Sequence, residues 1–478
     1  MINRNTLLGA VCILALMVGV FNAYAKETRS QKPNIIFILT DDQGYGDLGR
    51  HKNPVLKTPH MDRLFDQSVR FDDFTVSPTC SPSRCAMMTG KHEFKSGVTH
   101  TITGRNRMSL ESTTIAELLK RAGYATGIFG KWHLGHEGDY RPEKRGFDKS
   151  LTTIGDTQRS HFDPVLLNNG KEQAYKGFRT DILFREATSF IQTNKDKPFF
   201  CYIPTYSPHN PLKAPPEYIE RYKGKGSQYE VPFFAMLSNI DDNIGKLMAK
   251  LKTWGLDKNT LIIFMNDNGG TQGVDLFNAS MRGCKATPWF GGTRAMSFWR
   301  WPAVLKPKTV DKLAAHVDLL PTLAELAGVK IDKAHKKKLD GVSLVPLLTT
   351  SDAALPDRML FTHMGRWPAD QAQRHKYALC AVRWQHYQLV RSETCDAPKC
   401  RGECRVFQRA KTGQDRVSYS KQKGQFHYAS TTQGQWALYD TRKDPAQHKN
   451  LAKENPKIVK KMAAGYEKWW NEVSPKLK

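Results

Sequence analysis

The segment Pro33–Thr40 is an almost unbroken apolar run. A half-buried strand would alternate apolar and polar residues, so this run predicts a strand that is buried on both faces, as in a parallel sheet. Similar short runs follow at 124–129, 198–203 and 261–265. Helical patterns lie between these runs, and the alternation of strand and helix indicates a doubly wound α/β domain.

Helix boundaries in this domain are marked by capping residues. Thr58 and Pro59 predict a helix start, because proline fits the first helical position. Thr114 and Glu117 have the spacing of a capping box, and Gly123 is a suitable helix stop. Further helices are predicted over 233–254 and 317–326 from their apolar periodicity.

The character of the chain changes after about residue 355. Segments 377–390 and 436–439 predict antiparallel strands, and 456–473 predicts a closing helix. Residues 391–430 contain nine Lys/Arg and four Asp/Glu with little apolar periodicity, which indicates a basic loop or insertion. We therefore expect an α/β fold with a large doubly wound mixed sheet domain (26–354), helices on both faces, and a smaller C-terminal antiparallel sheet subdomain with a helix (355–478).

The first 25 residues have the pattern of a secretory signal peptide. Arg4 precedes the apolar run 7–20, and Ala23–Ala25 is an A-x-A pattern that predicts cleavage after Ala25. A membrane anchor is the alternative, but the run is short for a span. No second long apolar run follows, so we expect a secreted or periplasmic protein with no stable membrane insertion. Export makes nucleic acid an unsuitable partner for a chain whose net charge is +26.

Export also permits disulfides, and eight of the nine cysteines remain after the predicted cleavage. This number is small for a disulfide scaffold. Cys395, Cys400 and Cys404 lie close together, but their spacing does not fit a zinc ribbon. A local disulfide is the preferred interpretation of this group.

Polar residues follow the predicted strands directly. In open α/β sheets, ligands bind at the carboxyl ends of strands, where such side chains converge. Hard oxygen donors of this kind suit Ca²⁺ or Mg²⁺, although each pair alone is also typical of an ordinary polar turn. The residues are Asp41 and Asp42 after the first strand, Lys131 and His133 after the second, His209 after the third, and Asp267 and Asn268 after the fourth.

The segment Cys80–Gly90 combines a cysteine with Arg84 and a helical pattern. A thiol near an arginine and a helix N-terminus has a lowered pKa, so the residues alone suggest a cysteine nucleophile.

The pattern Cys-x-Pro-Ser-Arg at 80–84, followed by Met88-Thr89-Gly90, resembles the signature of the type I, formylglycine-dependent sulfatases. This arylsulfatase-like family belongs to the alkaline phosphatase-like superfamily. The resemblance continues in order over nearly the whole chain after residue 25. Its segments are 32–47, 130–135, Pro142, 146–148, 208–211, 267–270, 282–285, 316–322, 438–440, 444–445 and 450–452.

The resemblance implies a role for each matching residue. Cys80 would be converted to formylglycine by a formylglycine-generating or anaerobic maturation enzyme, and its hydrate would attack the sulfur of a sulfate ester. Arg84 and Lys131 would stabilise charge, and His133 would assist loss of the proton that restores the aldehyde. His209 would protonate the leaving oxygen, with help from Lys285. One Ca²⁺ would be held by Asp41, Asp42, Asp267, Asn268 and the modified Cys80.

Two positions depart from the family pattern. Cys284 stands where the family often has glycine, and Phe290 stands where it often has glutamate. Lys285 itself is kept, so the departures concern the geometry of this loop.

Three functions compete. The first is a secreted sulfatase acting on sulfated carbohydrates, and the second is a phosphatase or phosphonate monoester hydrolase of the same superfamily. The third is a non-catalytic protein that binds sulfated glycans. Segments 99–107, 155–163 and 391–423 are rich in basic residues and could contact a sulfated polysaccharide, or could be solvated surface. A net charge near +25 without the signal peptide would steer a polyanion toward the protein.

Overall fold

A ten-stranded sheet forms the centre of the computed structural model, which describes residues 32–155, 160–350, 353–367, 370–391, 414–419, 426–430, 432 and 434–477. In spatial order its strands are β12 (Lys308–Val310), β2 (Val69–Phe71), β11 (Ser297–Arg300), β9 (Thr260–Asn266), β1 (Asn34–Thr40), β8 (Phe199–Pro204), β4 (Ala125–Phe129), β5 (Lys149–Thr153), β6 (Val165–Asn168) and β7 (Lys171–Ala174).

The middle of this sheet is parallel and its margins are antiparallel. Strand β1 pairs in parallel with β8 and β9, and β4 pairs in parallel with β8 and β5. Strand β11 runs antiparallel to β9, and β6 and β7 form an antiparallel margin beyond β5. The four predicted strands are confirmed as β1, β4, β8 and β9. Because they run in one direction, their carboxyl ends meet at one edge of the sheet.

Helices cover both faces of the sheet. Ile35, Phe37 and Leu39 of β1 belong to one apolar cluster, whereas Ile36 and Ile38 belong to another on the opposite face. The whole of β1 is buried, as its unbroken apolar run predicts. The helices are α1 (Pro59–Asp66), α2 (Cys80–Thr89), α3 (Ile115–Arg121), α4 (Arg179–Thr193), α5 (Pro216–Glu220), α6 (Glu230–Thr253), α7 (Phe290–Thr293), α8 (Leu319–Leu326), α9 (Lys333–Lys336), α10 (Val345–Thr349) and α11 (Pro456–Val473).

Local capping signals confirm several helix boundaries. Helix α1 has Pro59 as its first residue. At the start of α3, the Glu117 amide donates to Thr114 Oγ1 at 3.1 Å, and the Thr114 amide donates to Glu117 Oε2 at 3.0 Å. The chain leaves α3 through Gly123, whose φ of 84° lies in the region that favours glycine. The helix predicted over 317–326 begins at Leu319, because Asp318 ends a preceding 3₁₀ turn and accepts the Ala315 amide.

The C-terminal part contains a four-stranded antiparallel sheet. Its order is β14 (Met359–His363), β15 (Cys380–Trp384), β16 (Tyr387–Arg391) and β19 (Ala437–Asp440). Helix α11 packs on this sheet through Met462, Tyr466 and Trp470, which share an apolar cluster with Val382 and Leu389. The sequence prediction covered β15, β16, β19 and α11 but not β14.

Two smaller sheets complete the described structure. Strands β10 (Arg294–Ala295), β3 (Phe74–Thr75) and β13 (Ala314–Ala315) form one, and β17 (Gln414–Tyr419) and β18 (Phe426–Ser430) form the other. The predicted basic loop over 391–430 is therefore wrong for these two strands, which pair antiparallel. The two strands stabilise each other through cross-strand pairs, and the composition of the segment does not reveal such pairs.

Some predictions concern residues outside those described. The signal peptide and Cys395, Cys400 and Cys404 are among them. In the described part of the chain, no helix combines the length and the apolar character that a membrane crossing requires.

A buried acidic side chain supports a prediction about stability. Glu93 is fully buried behind α2, where the Ser77 hydroxyl donates to its Oε1 at 2.6 Å. Burial raises the pKa of Glu93 to about 7 from 4.5. The proton is therefore held more tightly by the folded chain than by the unfolded chain. The raised pKa adds about 3 kcal/mol to the free energy of unfolding. This contribution is fully present below about pH 4.5 and is lost as the pH rises through about 7.

Glu93→Gln removes this ionisation while keeping the shape of the side chain. We expect the free energy of unfolding of the variant, relative to the parent, to rise by about 2–3 kcal/mol between pH 5 and pH 8. The nearby His92 and His316 also have lowered pKa values through burial, but they are present in both proteins, so most of their own titration cancels in the difference. Chemical denaturation at the two pH values measures it, and a pH-independent difference would contradict the prediction.

Candidate active site

The carboxyl ends of β1, β4, β8 and β9 bring together all the site residues that the sequence prediction selected. This edge of the sheet, which carries the candidate active site, is called the catalytic rim. Strand β1 ends at Thr40, and β9 ends at Asn266, so the acidic pairs Asp41–Asp42 and Asp267–Asn268 follow adjacent strands. Lys131 and His133 follow β4. His209 follows β8, and Cys80 is the first residue of α2.

The acidic residues form a compact cluster. Asp41, Asp42, Asp267 and Asn268 are each at most 2% exposed. The Asp42 amide donates to Asp267 Oδ1 at 3.3 Å, and Asn268 Nδ2 donates to Asp42 Oδ1 at 3.0 Å. Asp42 has a φ of 72°, a conformation that aspartate adopts more readily than most residues. The two strand ends are 225 residues apart in the sequence, yet the side-chain oxygen atoms that follow them form one cluster.

Three cationic side chains surround this cluster. Lys131 Nζ lies 2.6 Å from Asp41 Oδ2, and Lys285 Nζ donates to Asp42 Oδ1. Arg84 donates twice to Asp267 Oδ2, from Nη2 at 2.8 Å and from Nε at 3.2 Å. Gly130 allows the approach of Lys131, because a Cβ there would lie 1.9 Å from the Pro204 carbonyl oxygen.

The charges shift the pKa values of these groups in opposite directions. Burial alone would raise the pKa of Asp41, but Lys131 and the other neighbouring cations hold it well below its usual value. Burial and the adjacent Asp41 raise the pKa of Asp267 well above its usual value. A carboxyl group with a raised pKa beside an ionised one indicates crowded negative charge that a divalent cation would relieve.

The donor set fits a hard divalent cation. In the described part of the chain, Asp41 Oδ1 and Asn268 Oδ1 are buried oxygen atoms that have no hydrogen-bond partner. Ligand atoms of Asp41, Cys80 and Asp267 lie within 4.8 Å of one another, as do those of Asp41, Asp42 and His209. Buried acceptors without donors are costly, and carboxylate and amide oxygens are the ligands that calcium prefers.

Cys80 lies between two groups that can assist a nucleophile. Its Sγ is 3.5 Å from Lys131 Nζ and 3.5 Å from His133 Nδ1. Burial would raise the pKa of Cys80, but Lys131 and Lys285 lower it below its usual value. The other ring nitrogen of His133 lies 2.9 Å from the Thr101 carbonyl oxygen, which fixes the orientation of the ring. The sequence prediction did not assign this positioning to Thr101.

His209 lies at the opening of the site. Its Nε2 is 3.7 Å from Asp42 Oδ2, and its side chain is 38% exposed. The Nδ1 atom lies 2.7 Å from the Asn210 carbonyl oxygen, and this hydrogen bond orients the ring. This position lets His209 meet a bound molecule entering from solvent.

The loop that departs from the family pattern still positions Lys285. The Lys285 amide donates to the Gly270 carbonyl, and the Gly269 amide donates to the Gly292 carbonyl, both at 3.0 Å. The C-terminal part also supports this loop, since Gln447 Oε1 accepts the Phe290 amide at 2.8 Å. Cys284 is fully buried beneath it. The departures at Cys284 and Phe290 are therefore accommodated by packing and do not displace Lys285 from Asp42.

Sequence reasoning missed a buried arginine near the rim. Arg179, at the start of α4, lies 4.4 Å from the ring centroid of Tyr206, and its Nη2 is 3.4 Å from His161 Nδ1. Burial lowers the pKa of Arg179 to about 10. His161 falls within the predicted basic segment 155–163. Arg179 had no motif to mark it, because a single arginine at a helix start has no distinctive spacing.

The chain is similar in sequence to known proteins. The family model described as "Sulfatase" matches residues 33–329. Arylsulfatase J of Mus musculus is 33% identical over 390 residues, with 76% of this chain and 64% of that protein covered. Arylsulfatase A of Homo sapiens is 33% identical over 381 residues, with 70% of each chain covered.

The fold also matches a solved structure. The crystal structure of Ps i-CgsB in complex with k-i-k-neocarrahexaose has a TM-score of 0.76 and 27% identity, covering 92% of this chain and 93% of that chain. The family match spans more than half of the chain. The chain belongs to the sulfatase family, and the predicted α/β fold with its smaller C-terminal antiparallel sheet is confirmed. Sulfatases are hydrolases of sulfate esters.

Proposed function

We propose that this chain is a secreted sulfatase that removes sulfate groups from carbohydrates, with Cys80 converted to formylglycine and one bound Ca²⁺. The observation that carries the proposal is the placement of Cys80 Sγ at 3.5 Å from both Lys131 Nζ and His133 Nδ1, beside the acidic cluster. Sγ stands in for the oxygen atoms that conversion attaches to the same Cβ. The second candidate, a phosphatase or phosphonate monoester hydrolase, is tested below.

Two groups are absent from the chain as translated. Asp41, Asp42, Asp267, Asn268 and the modified Cys80 would hold the Ca²⁺, which would supply positive charge to the site. Formylglycine supplies, as its hydrate, a nucleophilic hydroxyl and a second hydroxyl that a plain cysteine or serine lacks. Conversion requires a formylglycine-generating or anaerobic maturation enzyme.

The protein's own side chains bind charge and move protons. Lys131 and Arg84 stabilise negative charge at the catalytic residue and at the sulfate. His133, whose Nδ1 faces position 80, accepts a proton there. His209 donates a proton to the leaving oxygen on the exposed side of the site, and Lys285, at 12% side-chain exposure, assists it.

Electrostatic stabilisation supplies the largest share of catalysis at such a site. Three carboxylates and three cations balance one another, so a bound divalent cation leaves the cluster net positive. A sulfate ester is an anion, and fixed positive charge in a buried site stabilises it without reorganisation. Removing one such group typically costs about 2.7–4 kcal/mol of transition-state stabilisation.

A carbohydrate substrate is supported by similarity to a solved structure. The similar protein Ps i-CgsB was solved in complex with k-i-k-neocarrahexaose.

A substrate panel tests the proposal. We expect the matured protein to hydrolyse an aryl sulfate faster than the matching aryl phosphate and phosphonate, because the formylglycine hydrate suits release of sulfate. We further expect it to desulfate members of a sulfated-oligosaccharide panel. Faster hydrolysis of the phosphate ester would favour the second candidate, and no release from any sulfated sugar would exclude the carbohydrate assignment.

A further inference from the structure

A basic groove lies at the amino ends of the central strands. It has a volume of about 560 Å³ and is formed by the segment before β1, the ends of α2 and α3, and the segment around α9. Its cationic side chains are Lys32, Lys91, Arg121, Lys330 and Lys338, and its acidic ones are Glu111 and Asp332. Three further lysines, at positions 333, 336 and 337, lie in or next to α9. We call this surface the basic groove.

The basic groove is remote from the catalytic rim. Cys80 begins α2, whereas Lys91 follows its last residue, Thr89, by two positions, so the helix separates them by about 15 Å. Lys32 precedes β1, and Arg121 precedes β4, whereas Asp41 and Lys131 follow the same strands. A strand of this length separates its ends by about 20 Å. The groove therefore does not belong to the site already described.

Positive charge in the groove is crowded and weakly compensated. Burial and the neighbouring Lys338 lower the pKa of Lys91. Burial has the largest effect on His335 and lowers its pKa, and the charge of Lys91 lowers it further. The Nε2 atom of His335 is buried and has no hydrogen-bond partner among the described residues. Cations that destabilise one another in this way gain from a bound anion, because an anion relieves the repulsion of several at once.

We propose that the basic groove is a second, non-catalytic binding site for a sulfated polysaccharide chain, which holds the polymer while another part of it is desulfated at the catalytic rim. The identity of the polymer rests on the proposed function. A polyanion with repeated charges fits because cations from four segments of the chain line one surface. The lysines are mostly exposed and so can reach successive sulfate groups.

An anionic membrane is the competing partner, and the surface favours the polysaccharide. Peripheral membrane binding combines basic residues with large apolar side chains that enter the lipid. The large exposed apolar side chains in the described part of the chain are Leu110, Ile154, Phe162, Val165 and Val304, and none of them lines the groove.

The test compares two triple variants of the matured, full-length protein. Lys91→Ser, Arg121→Ser and Lys338→Ser together remove three charges from the groove. Lys246→Ser, Lys250→Ser and Lys252→Ser remove three exposed charges from α6, which packs on the other face of the sheet. Binding of fluorescent dextran sulfate is measured at several salt concentrations, with unsulfated dextran as the blank.

We expect the groove variant to bind dextran sulfate about tenfold more weakly at low salt, with a shallower dependence of log Kd on log salt. The α6 variant is expected to change the affinity by less than about twofold. Turnover of an aryl sulfate should be the same in all three proteins. Turnover of the aryl sulfate tests the proposed function, whereas binding of dextran sulfate tests the groove. A negative result in one assay is therefore distinguishable from a negative result in the other.

Two results would overturn the proposal. One is unchanged affinity for dextran sulfate in the groove variant, and weakened binding of phosphatidylglycerol vesicles by that variant would then assign the groove to a membrane. The other is equal weakening by both triple variants, which would mean that net charge alone attracts the polymer. Should the triple groove variant not fold, Lys91→Ser and Lys338→Ser alone are each expected to weaken binding about twofold to threefold.

Discussion

Replacing Cys80 with alanine is expected to lower sulfate-ester turnover by about 10⁴-fold or more, because it removes the nucleophile. The side chain is small and lies at the first position of α2, where alanine is an acceptable helical residue. The variant should therefore fold. Turnover of an aryl sulfate and the thermal unfolding midpoint are measured together. The expected combination is an inactive protein with a parent-like midpoint.

Cys85 provides a matched control on the same helix. It is fully buried in the apolar cluster beneath α2, and burial raises the pKa of its thiol. Cys85→Ala removes the same atoms at a distance of five residues, so we expect a stability loss of about 1 kcal/mol and little change in turnover. Retention of substantial turnover by Cys80→Ala, or an active preparation in which peptide mass spectrometry finds only the unmodified thiol at position 80, would contradict the formylglycine mechanism.

Removal of calcium is expected to have the second largest effect. Chelation should lower both turnover and the thermal unfolding midpoint, and added Ca²⁺ should restore them. A ligand at one hundred times its Kd stabilises the folded state by about 2.7 kcal/mol, which is readily measured as a shift of the midpoint. The midpoint is independent of activity, so it reports binding even in an unmodified protein.

Asp41→Asn should abolish the response of the midpoint to Ca²⁺ and lower turnover by about 10²–10³-fold. Asp47→Asn is the matched control. Asp47 is also buried and lies close in sequence, but its Oδ2 accepts the Gly44 amide, and burial raises its pKa to about 7. An amide resembles that protonated acid, so the control should keep the Ca²⁺ response. A normal response in Asp41→Asn would remove this residue from the metal site.

The central strands were predictable because their pattern is local. The unbroken apolar run of β1 requires burial on two faces, and a sheet covered by helices on both sides provides it. The margins of the same sheet were not predictable. Strand β2 has three residues and pairs with β11. In this pairing, Phe298 of β11 lies opposite Arg70 of β2. Such short strands are stabilised by partners far away in the chain, and their own composition carries little signal.

The candidate site divides in a similar way. The chemical types of Asp41, Cys80, Lys131 and Asp267 were evident from motifs at predicted strand and helix ends. Their exact neighbours were not, since Lys285 reaches Asp42 across 243 residues. Arg179 and the Thr101 carbonyl were missed because neither belongs to a motif. The basic groove was missed as well, because its cations come from four separated segments, each of which alone looks like solvated surface.

By itself, the sequence determined the alternation of strands and helices, the family and the reactive residue types. Apolar periodicity, capping and short motifs are local properties, because they depend on residues that are close together in the sequence. The tertiary structure decided which charges neutralise one another, which buried oxygens lack a donor and which lysines share a groove. These depend on distances between remote segments, and electrostatic energy varies with distance and burial rather than with position in the sequence.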